Sequence, residues 1–410
     1  MTNREFNVKG ATACRDLWFG MGPTWRWWGL ALLVLTACAQ QPESSAPPMD
    51  RGSGLRLTTL LGGESPPGFQ RADRVKAFHF PQDHGPHPDY RSEWWYLTGS
   101  LQDEQGNLYG VQFTAFRQAL APPQASGEHD NPTGIDRNPW RTSQFYMAHL
   151  ALSETTTSRH LEAQRLVRAH PQLAGARAQP FAVWVDGWRL ASQATAFLPL
   201  HLHAISPKFS VDLSLTEVKP IVLQGDRGLS RKGDDSASYY YSITRLRASG
   251  EIRIGERVVP VQGRAWFDRE WSTSVLGEGV VGWDWFALQF ERGHDMMLFQ
   301  LRRADGKTNP YNSGLQVDSD GAYQTLTARD FQLTPLEYWR DERGVRWPVR
   351  WRVTFRDQIG RNQMDALIVQ AAFPNQRMDT ALVYWEGLVR VFDAQDNAIG
   401  QGYMELTGYR

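Results

Sequence analysis

The chain has 410 residues, 17 of them tryptophan, and its 44 basic residues are balanced by 44 acidic ones. Because the formal net charge is zero and no basic block occurs, the sequence excludes a nucleic-acid-binding protein that works through an extended positive surface. The aromatic residues suit pleated, half-buried strands and also the walls of apolar cavities, so composition leaves these two uses open.

A lipoprotein signal is predicted for residues 1–37. Arg26 places a positive charge before the apolar run 27–37, which is too short to cross a bilayer. The run ends in Leu-Thr-Ala directly before Cys38, the pattern of a bacterial signal whose cysteine is lipidated; the alternative is a short buried helix beside a chance cysteine. Because Ala39 follows, we expect a lipid-anchored protein of the bacterial cell envelope, in the outer membrane and facing the periplasm.

Residues 38–74 are predicted to form a flexible tether, because they are rich in proline, glycine and serine. The only other cysteine is Cys14, which lies within the signal. The mature protein is therefore expected to fold without an internal disulfide bond.

After the tether the sequence predicts an all-β fold. Short runs of alternating apolar and polar residues, separated by turn residues, predict hairpins at residues 93–116, 181–190 and 283–301. So many short strands exceed what one barrel needs. We expect two tandem antiparallel β barrels or sandwiches, the first over residues 75–250 and the second over residues 251–410.

Several familiar catalytic motifs are missing from the sequence. It has no Gly-x-Ser-x-Gly, no P-loop, no His-Glu-x-x-His and no Cys-x-x-Cys. These absences disfavour a serine hydrolase and a zinc protease.

The segment 78–96 is rich in histidine and carboxylate side chains, with His79, Asp83, His84, His87, Asp89 and Glu93. Such side chains suit a metal site or a substrate-facing surface, whereas the prolines and Gly85 favour a rigid loop whose side chains tie down the backbone. The sequence leaves these three uses open. The residues expected to contact a ligand are His84, His87, Glu93 and Trp95.

The stretch RAWFDREWSTS at residues 264–274 has three charged residues between tryptophans. In a strand, one face would carry Trp266, Asp268 and Glu270, and the other would carry Phe267, Arg269 and Trp271. A carboxyl group enclosed by tryptophan is favoured in its uncharged form, which suits a general acid. The alternatives are a plain charged surface and an internal ion pair, in which Arg264 or Arg269 neutralises Asp268, Glu270 or Glu278.

Two further segments are candidates for ligand contacts. Asp284 lies between Trp283 and Trp285, and we expect its face to meet the carboxylates of the preceding strand across a hairpin. The glycine-rich run 224–233 could cradle a phosphate, but it lacks the strand–loop–helix setting of such sites. We therefore interpret this run as a structured loop between strands.

Five segments together resemble one known family. They are His79–Pro88, Glu93–Gly99, Gln224–Gly233, Ser238–Ser242 and Asp268–Ser272. They are similar to the AttH/CrtC lipocalin-like family, which includes carotenoid 1,2-hydratase-like proteins and secreted proteins described as hydrolases. The resemblance extends from about Val75 to the C-terminus, and it implies two tandem lipocalin-like β barrels.

The resemblance also implies a function. Relatives act on apolar polyenes: carotenoid hydratases add water to a double bond without a cofactor, and fungal relatives promote cyclisation. Bacterial AttH-like proteins are encoded beside ABC transporters of the lipoprotein-release type. The hydratase subgroup has Asp-His-Asn-Trp where this chain has Asp268-Arg269-Glu270-Trp271. Asp268 and Trp271 match, whereas Arg269 cannot shuttle protons as a histidine does.

Three hypotheses follow. The first is a lipid-anchored envelope protein that binds a lipid or isoprenoid in a lipocalin-like cavity. The second is a cofactor-free hydratase, isomerase or cyclase of an unsaturated lipid, with Asp268 or Glu270 as the acid and Trp271, Trp283 and Trp285 as partners of a cation. The third is an accessory component of an ABC transporter. Arg269 and Asp284 complete the expected ligand contacts, and no cofactor, metal or nucleic-acid partner is expected.

Overall fold

The structure is a computed structural model that describes residues 67–123, 143–273, 276–277, 279–356 and 366–410. These residues form β-strands and one short 3-10 helix at Gln82–His84, so the predicted all-β class is confirmed. The predicted signal, the lipidation site Cys38 and the tether up to residue 66 lie outside the described residues. No helix in the described part of the chain is long and apolar enough for a membrane span.

The first sheet contains 13 strands. They are β1 (Ser92–Gln102), β2 (Leu108–Ala119), β3 (Gln144–Glu154), β4 (Arg159–Arg168), β5 (Ala174–Ala178), β6 (Phe181–Val185), β7 (Trp188–Ser192), β8 (Leu200–Ile205), β9 (Phe209–Glu217), β10 (Val222–Leu223), β11 (Leu229–Arg231), β12 (Ala237–Ile254) and β13 (Arg257–Ser272). Their order is β4-β3-β2-β1-β13-β12-β9-β8-β7-β6-β5, and β10 and β11 pair with β12. The central pairings of β1 with β2 and β13, and of β13 with β12, are antiparallel.

The second sheet contains 10 strands. They are β14 (Val280–Phe290), β15 (Asp295–Arg303), β16 (Ser313–Val317), β17 (Tyr323–Thr327), β18 (Phe331–Arg340), β19 (Arg346–Phe355), β20 (Ala366–Ala371), β21 (Arg377–Asp379), β22 (Val383–Phe392) and β23 (Ala398–Leu406). Their order is β17-β16-β15-β14-β23-β22-β20-β19-β18, and β21 pairs with β22. Each sheet curls into a near-barrel, so the predicted two-barrel architecture is confirmed.

The chain does not pass from the first sheet to the second near Gly250, where the sequence predicts the division. Gly250 lies inside β12, which runs alongside β13 down to the turn between Ile254 and Arg257. The long β12–β13 hairpin therefore belongs wholly to the first sheet. The chain passes to the second sheet between Ser272 and Val280. As folding domains, residues 75–250 and 251–410 stay a prediction.

Alternation along the strands sorts the side chains into two environments. Trp95 of β1, Phe113 of β2 and Phe267 of β13 point into the first barrel, where they belong to one large apolar cluster. Their neighbours Trp94 and Tyr96 point to the outer face of the same sheet. The interior of the first barrel is thus a packed core.

The outer faces of the two sheets pack against each other. Tyr96 and Trp266 of the first sheet form one apolar cluster with Trp285, Leu388 and Tyr403 of the second. Because side chains that point away from either barrel are buried here, both sheets are apolar on two faces in this region. The contact between the sheets encloses the candidate site.

Candidate functional site

A cavity lies between the outer faces of the two sheets, and the centre of a water molecule could occupy about 80 Å³ of it. The first sheet lines it with Trp94, Tyr96, Phe116 and Tyr240, and the second sheet lines it with Trp283, Trp285, Phe299 and Tyr384. Aromatic walls with a few polar groups are typical of sites for apolar ligands. The cavity also contains four carboxyl groups and one amino group, from Asp268, Glu270, Glu386, Glu405 and Lys232.

The two carboxyl groups of β13 point into the cavity because of strand alternation. Asp268 and Glu270 line it, whereas Phe267 and Trp271 belong to the core of the first barrel. The sorting of this stretch into two faces, as the sequence predicts, is confirmed. Of the three residues singled out as catalytic, the structure therefore brings two to the cavity and turns Trp271 away from it.

Asp268 is a buried acid held by neutral donors. Its carboxyl group accepts hydrogen bonds from Trp266 Nε1 at 2.7 Å, from Tyr240 Oη at 2.8 Å and from Ser242 Oγ. Among the described residues no lysine, arginine or histidine forms an ion pair with it. Burial raises the pKa of Asp268 to about 7, against the opposing effect of these hydrogen bonds. The side chain can therefore hold or release a proton near neutral pH.

The side chain of Glu270 lies beside that of a lysine. Lys232 Nζ lies 3.4 Å from Glu270 Oε1, and Ser238 Oγ donates a hydrogen bond to the same oxygen. Lys232 Nζ also lies 4.2 Å from the centre of the Phe299 ring. Lys232 follows β11 at the end of the glycine-rich run, so the structured loop predicted there delivers the only lysine among the residues that line the cavity.

Glu386 and Glu405 form the opposite wall, and neither was predicted from the sequence. They face each other across β22 and β23, and Tyr96 Oη donates a hydrogen bond to Glu386. Burial, followed by the charge of Glu405, raises the pKa of Glu386 well above its usual range, and burial raises the pKa of Glu405 to about 8. The available signal was a carboxylate between apolar residues in each strand, as in Met404-Glu405-Leu406.

Glu93 and Arg269, expected to contact a ligand, lie in the first barrel instead. Glu93 forms ion pairs with Arg117 and Arg269 and hydrogen-bonds to His87. Burial alone would raise the pKa of Glu93, but the two guanidinium groups hold it well below its usual range. Arg269 also lies 4.0 Å from the centre of the Trp95 ring, so this cluster has the contacts of a buried scaffold.

The two histidines expected to contact a ligand pack beside that cluster. The His87 ring stacks on Trp271 at 3.8 Å. The His84 ring stacks on Phe197 at 3.6 Å, and its Nδ1 lies 2.6 Å from Tyr241 Oη. Burial lowers the pKa of His84 to about 3. These contacts favour structural hydrogen bonding among the three uses left open by the sequence, and no group in the described part of the chain has the arrangement of a metal site.

Asp284 does not meet the carboxyl groups of β13. Its flanking residues Trp283 and Trp285 line the cavity, but alternation turns Asp284 to the other face of β14. There it lies 3.2 Å from Arg302 Nε and accepts hydrogen bonds from Gln300 and Tyr409. The expected meeting across a hairpin is therefore wrong, because Asp284 and its neighbours occupy opposite faces.

The ion-pair alternative for β13 does not hold for Arg269. Arg269 bonds to Glu93 of β1 rather than to either carboxylate on its own strand. Arg269 and Asp268 are adjacent, so the strand points them to opposite faces. The cation near Glu270 is Lys232 instead, and Glu278 lies outside the described residues.

The AttH-like family model matches residues 71–409 of this chain. A crystal structure of a protein from Nitrosomonas europaea described as AttH is 31% identical, covers 83% of this chain and 100% of its own, and superposes with a TM-score of 0.72. Kievitone hydratase from Nectria haematococca is 12% identical, with 83% and 98% covered and a TM-score of 0.61; this likeness is one of fold. Among curated proteins, none matches this chain.

Proposed function

The chain belongs to the AttH-like family, and from that premise we propose that it binds an apolar, unsaturated molecule between its two sheets and protonates it there. The ligand lies against the aromatic walls, and Asp268 supplies the proton. This combines binding of a hydrophobic ligand with the reaction class of a cofactor-free hydratase, isomerase or cyclase.

The observation that carries the proposal is the setting of Asp268. It is 3% exposed, it lines an aromatic cavity, and its hydrogen bonds come from a tyrosine, a serine and a tryptophan. A carboxyl group without a cationic partner is a poor structural element, because burying its charged form is costly. As an uncharged acid beside an apolar ligand, the same group has a direct chemical use.

The reaction proceeds in two steps that need only water. The Asp268 proton bonds to one carbon of the double bond as the π bond breaks, which leaves a carbocation on the other carbon. The faces of Trp283 and Trp285 stabilise this positive charge. Water then adds through its oxygen and loses a proton to the Asp268 carboxylate, which restores the acid. Loss of a proton from a neighbouring carbon would instead shift the double bond.

The change from histidine to arginine at position 269 does not weigh against this chemistry. Arg269 points into the first barrel, where it bonds to Glu93 and Gly85 O, so it lies on the face of β13 opposite to Asp268. The fold shared with kievitone hydratase supports the proposal, since that protein is named as a hydratase.

The test is native mass spectrometry of the mature protein purified from its host's envelope. We expect a reproducible apolar ligand in the wild type and in Asp268→Asn, and turnover of that ligand only in the wild type. Asp73→Asn, which alters a carboxylate that is 59% exposed, serves as the control. A ligand bound equally well but not turned over by the wild type would favour a carrier. No ligand in any form would contradict the proposal.

We also propose lipidation at Cys38, with the protein held at the outer membrane and facing the periplasm. The support is the order of charge, apolar run and cysteine in the sequence. Cys38→Ser should abolish incorporation of radioactive palmitate and release the protein from the membrane fraction. Co-purification of an ABC transporter with the wild type would support the accessory role, and retention of label by Cys38→Ser would contradict the anchor.

A further inference from the structure

The second-sheet wall of the cavity places two carboxyl groups side by side. Glu386 and Glu405 are directly opposite in the register of β22 and β23, and both line the cavity. Side chains in this relation have Cβ atoms about 5 Å apart. Glu386 is 1% exposed and Glu405 is half-buried, so the first carboxyl group is shielded from bulk water and the second is partly shielded.

The partners that the described residues provide for the pair are neutral. Tyr96 donates a hydrogen bond to Glu386, and Trp283 donates one to Glu405. Among the described residues, the one lysine of the cavity lies against Glu270 on the first-sheet wall, at 3.4 Å. Two adjacent carboxyl groups repel each other once both are charged, so their uncharged forms are favoured unless a nearby positive charge compensates them.

We infer that the Glu386–Glu405 pair is a subsite for a positively charged centre of the ligand, either a permanent ammonium group or the carbocation that protonation creates. The inference rests on the proposed function, because it concerns the same cavity. The second observation that supports it is the aromatic surround: Trp283 bonds to the pair, and Trp94, Trp285 and Tyr384 line the same space. Carboxylates together with aromatic faces are the usual recognition elements for organic cations.

The empty and the occupied site differ by a proton. Without a ligand, burial and mutual repulsion favour the uncharged forms of Glu386 and Glu405. A cation entering the cavity favours the carboxylate, so a proton leaves the pair for the solvent as the cation binds. A purely structural pair, which only ties the second sheet to Tyr96 of the first, would not distinguish a charged ligand from an uncharged one of the same shape.

The test compares two probes of equal shape, choline and its uncharged carbon analogue 3,3-dimethylbutan-1-ol, by isothermal titration at pH 8. We expect the wild type to prefer choline by roughly tenfold or more, the scale of a desolvated cation–π and carboxylate contact. Glu386→Gln and Glu405→Gln should bring the two affinities close together. Circular dichroism and urea unfolding of both variants show whether the fold is retained.

Two results would overturn the inference. They are equal affinity of the wild type for both probes, and a choline preference that survives both glutamine variants. The first result leaves the proposed function standing, because an uncharged apolar ligand still binds. Failure of the proposed function is separate, and shows as no ligand from the envelope and no binding of the alcohol.

Discussion

At Asp268 the protein keeps an acid in a place that stabilises its uncharged form. Burial raises the pKa of this carboxyl group to about 7, whereas in the unfolded chain it is near 3.9. The folded state therefore binds more protons than the unfolded state between these values. Stability from this group is greatest at low pH and is lost as the pH rises toward 7 and above.

A pH series of Asp268→Asn should reveal this effect. Relative to the wild type, the variant should gain roughly 2–4 kcal/mol in free energy of unfolding between pH 4 and pH 8.5, because asparagine stays uncharged throughout. Urea unfolding at the two pH values measures the difference. Asp73→Asn on the surface is the control, and a constant difference between variant and wild type would contradict the assignment of an uncharged buried acid.

Glu93 provides the opposite case, a buried carboxylate with two cationic partners. Glu93→Gln should destabilise the protein by about 3–5 kcal/mol, because it leaves Arg117 and Arg269 without their counter-charge in the core. Ligand binding by the variant that remains folded should be unchanged, since Glu93 does not line the cavity. Chemical denaturation combined with native mass spectrometry checks both parts. A stable variant that loses its ligand would instead support the ligand-contact role expected from the sequence.

Among the elements, β12 shows how an irregular strand joins the two sheets. The register of β12 against β13 shifts between Ile243 and Leu246, and a bulge of this kind redirects side chains. Thr244 and Arg245, within the bulge, both donate hydrogen bonds to Asp295 at the start of β15. Lys219 Nζ adds an ion pair with Asp295 at 2.8 Å. The Asp295 carboxylate of the second sheet thus binds three donor side chains from the first-sheet part of the chain.

Asp295→Asn should therefore loosen the contact between the sheets. We expect a loss of about 3–5 kcal/mol in unfolding free energy, because Lys219 and Arg245 stay buried without a counter-charge. Asp305→Asn is the matched control, since that carboxylate pairs with Arg303 on the surface. Equal stability of the two variants in urea would show that the contacts of Asp295 with Lys219 and Arg245 contribute little to holding the sheets together.

Gly110 of β2 sets the closeness of the sheets at another point. A Cβ atom at this position would lie 2.5 Å from Tyr403 Oη and 3.0 Å from Leu388 Cβ. Gly110→Ala should cost about 1–3 kcal/mol through overpacking. Gly99→Ala on the paired strand is the control, because its Cβ would meet its nearest atoms at 3.7 Å. Thermal or urea unfolding measures the stability of both variants. A Gly110→Ala variant as stable as the control would contradict the tight contact.

For the whole molecule, local sequence patterns predicted the class of the fold and the faces of its strands. The alternation of side chains along a strand was enough to predict that Asp268 and Arg269 lie on opposite faces of the sheet, because the face of a residue depends only on its place in the strand. It failed for the partner of Arg269, since Glu93 is 176 positions away in the chain. Glu386 and Glu405 were missed for the same reason: pairing of distant strands brings them to the cavity that also contains Asp268.

The location of the ligand site is also a property of the whole molecule. A lipocalin-like barrel suggests a cavity within one barrel, yet the first barrel is filled by its own side chains. The candidate site instead needs both sheets, with Asp268 on one wall and Trp285 on the other. A change that separates the sheets should therefore impair ligand binding even where each barrel stays folded.

The most direct measurement of the central claim is deuterium incorporation. The mature wild type and Asp268→Asn would each be incubated in D₂O with a lipid and isoprenoid extract of the host's envelope, and the extract analysed by mass spectrometry. We expect the wild type to place deuterium on carbon in one unsaturated component, because Asp268 passes a solvent-derived proton to the double bond, and the variant to place none. No carbon-bound deuterium above a protein-free control, or equal incorporation by the variant, would contradict the claim.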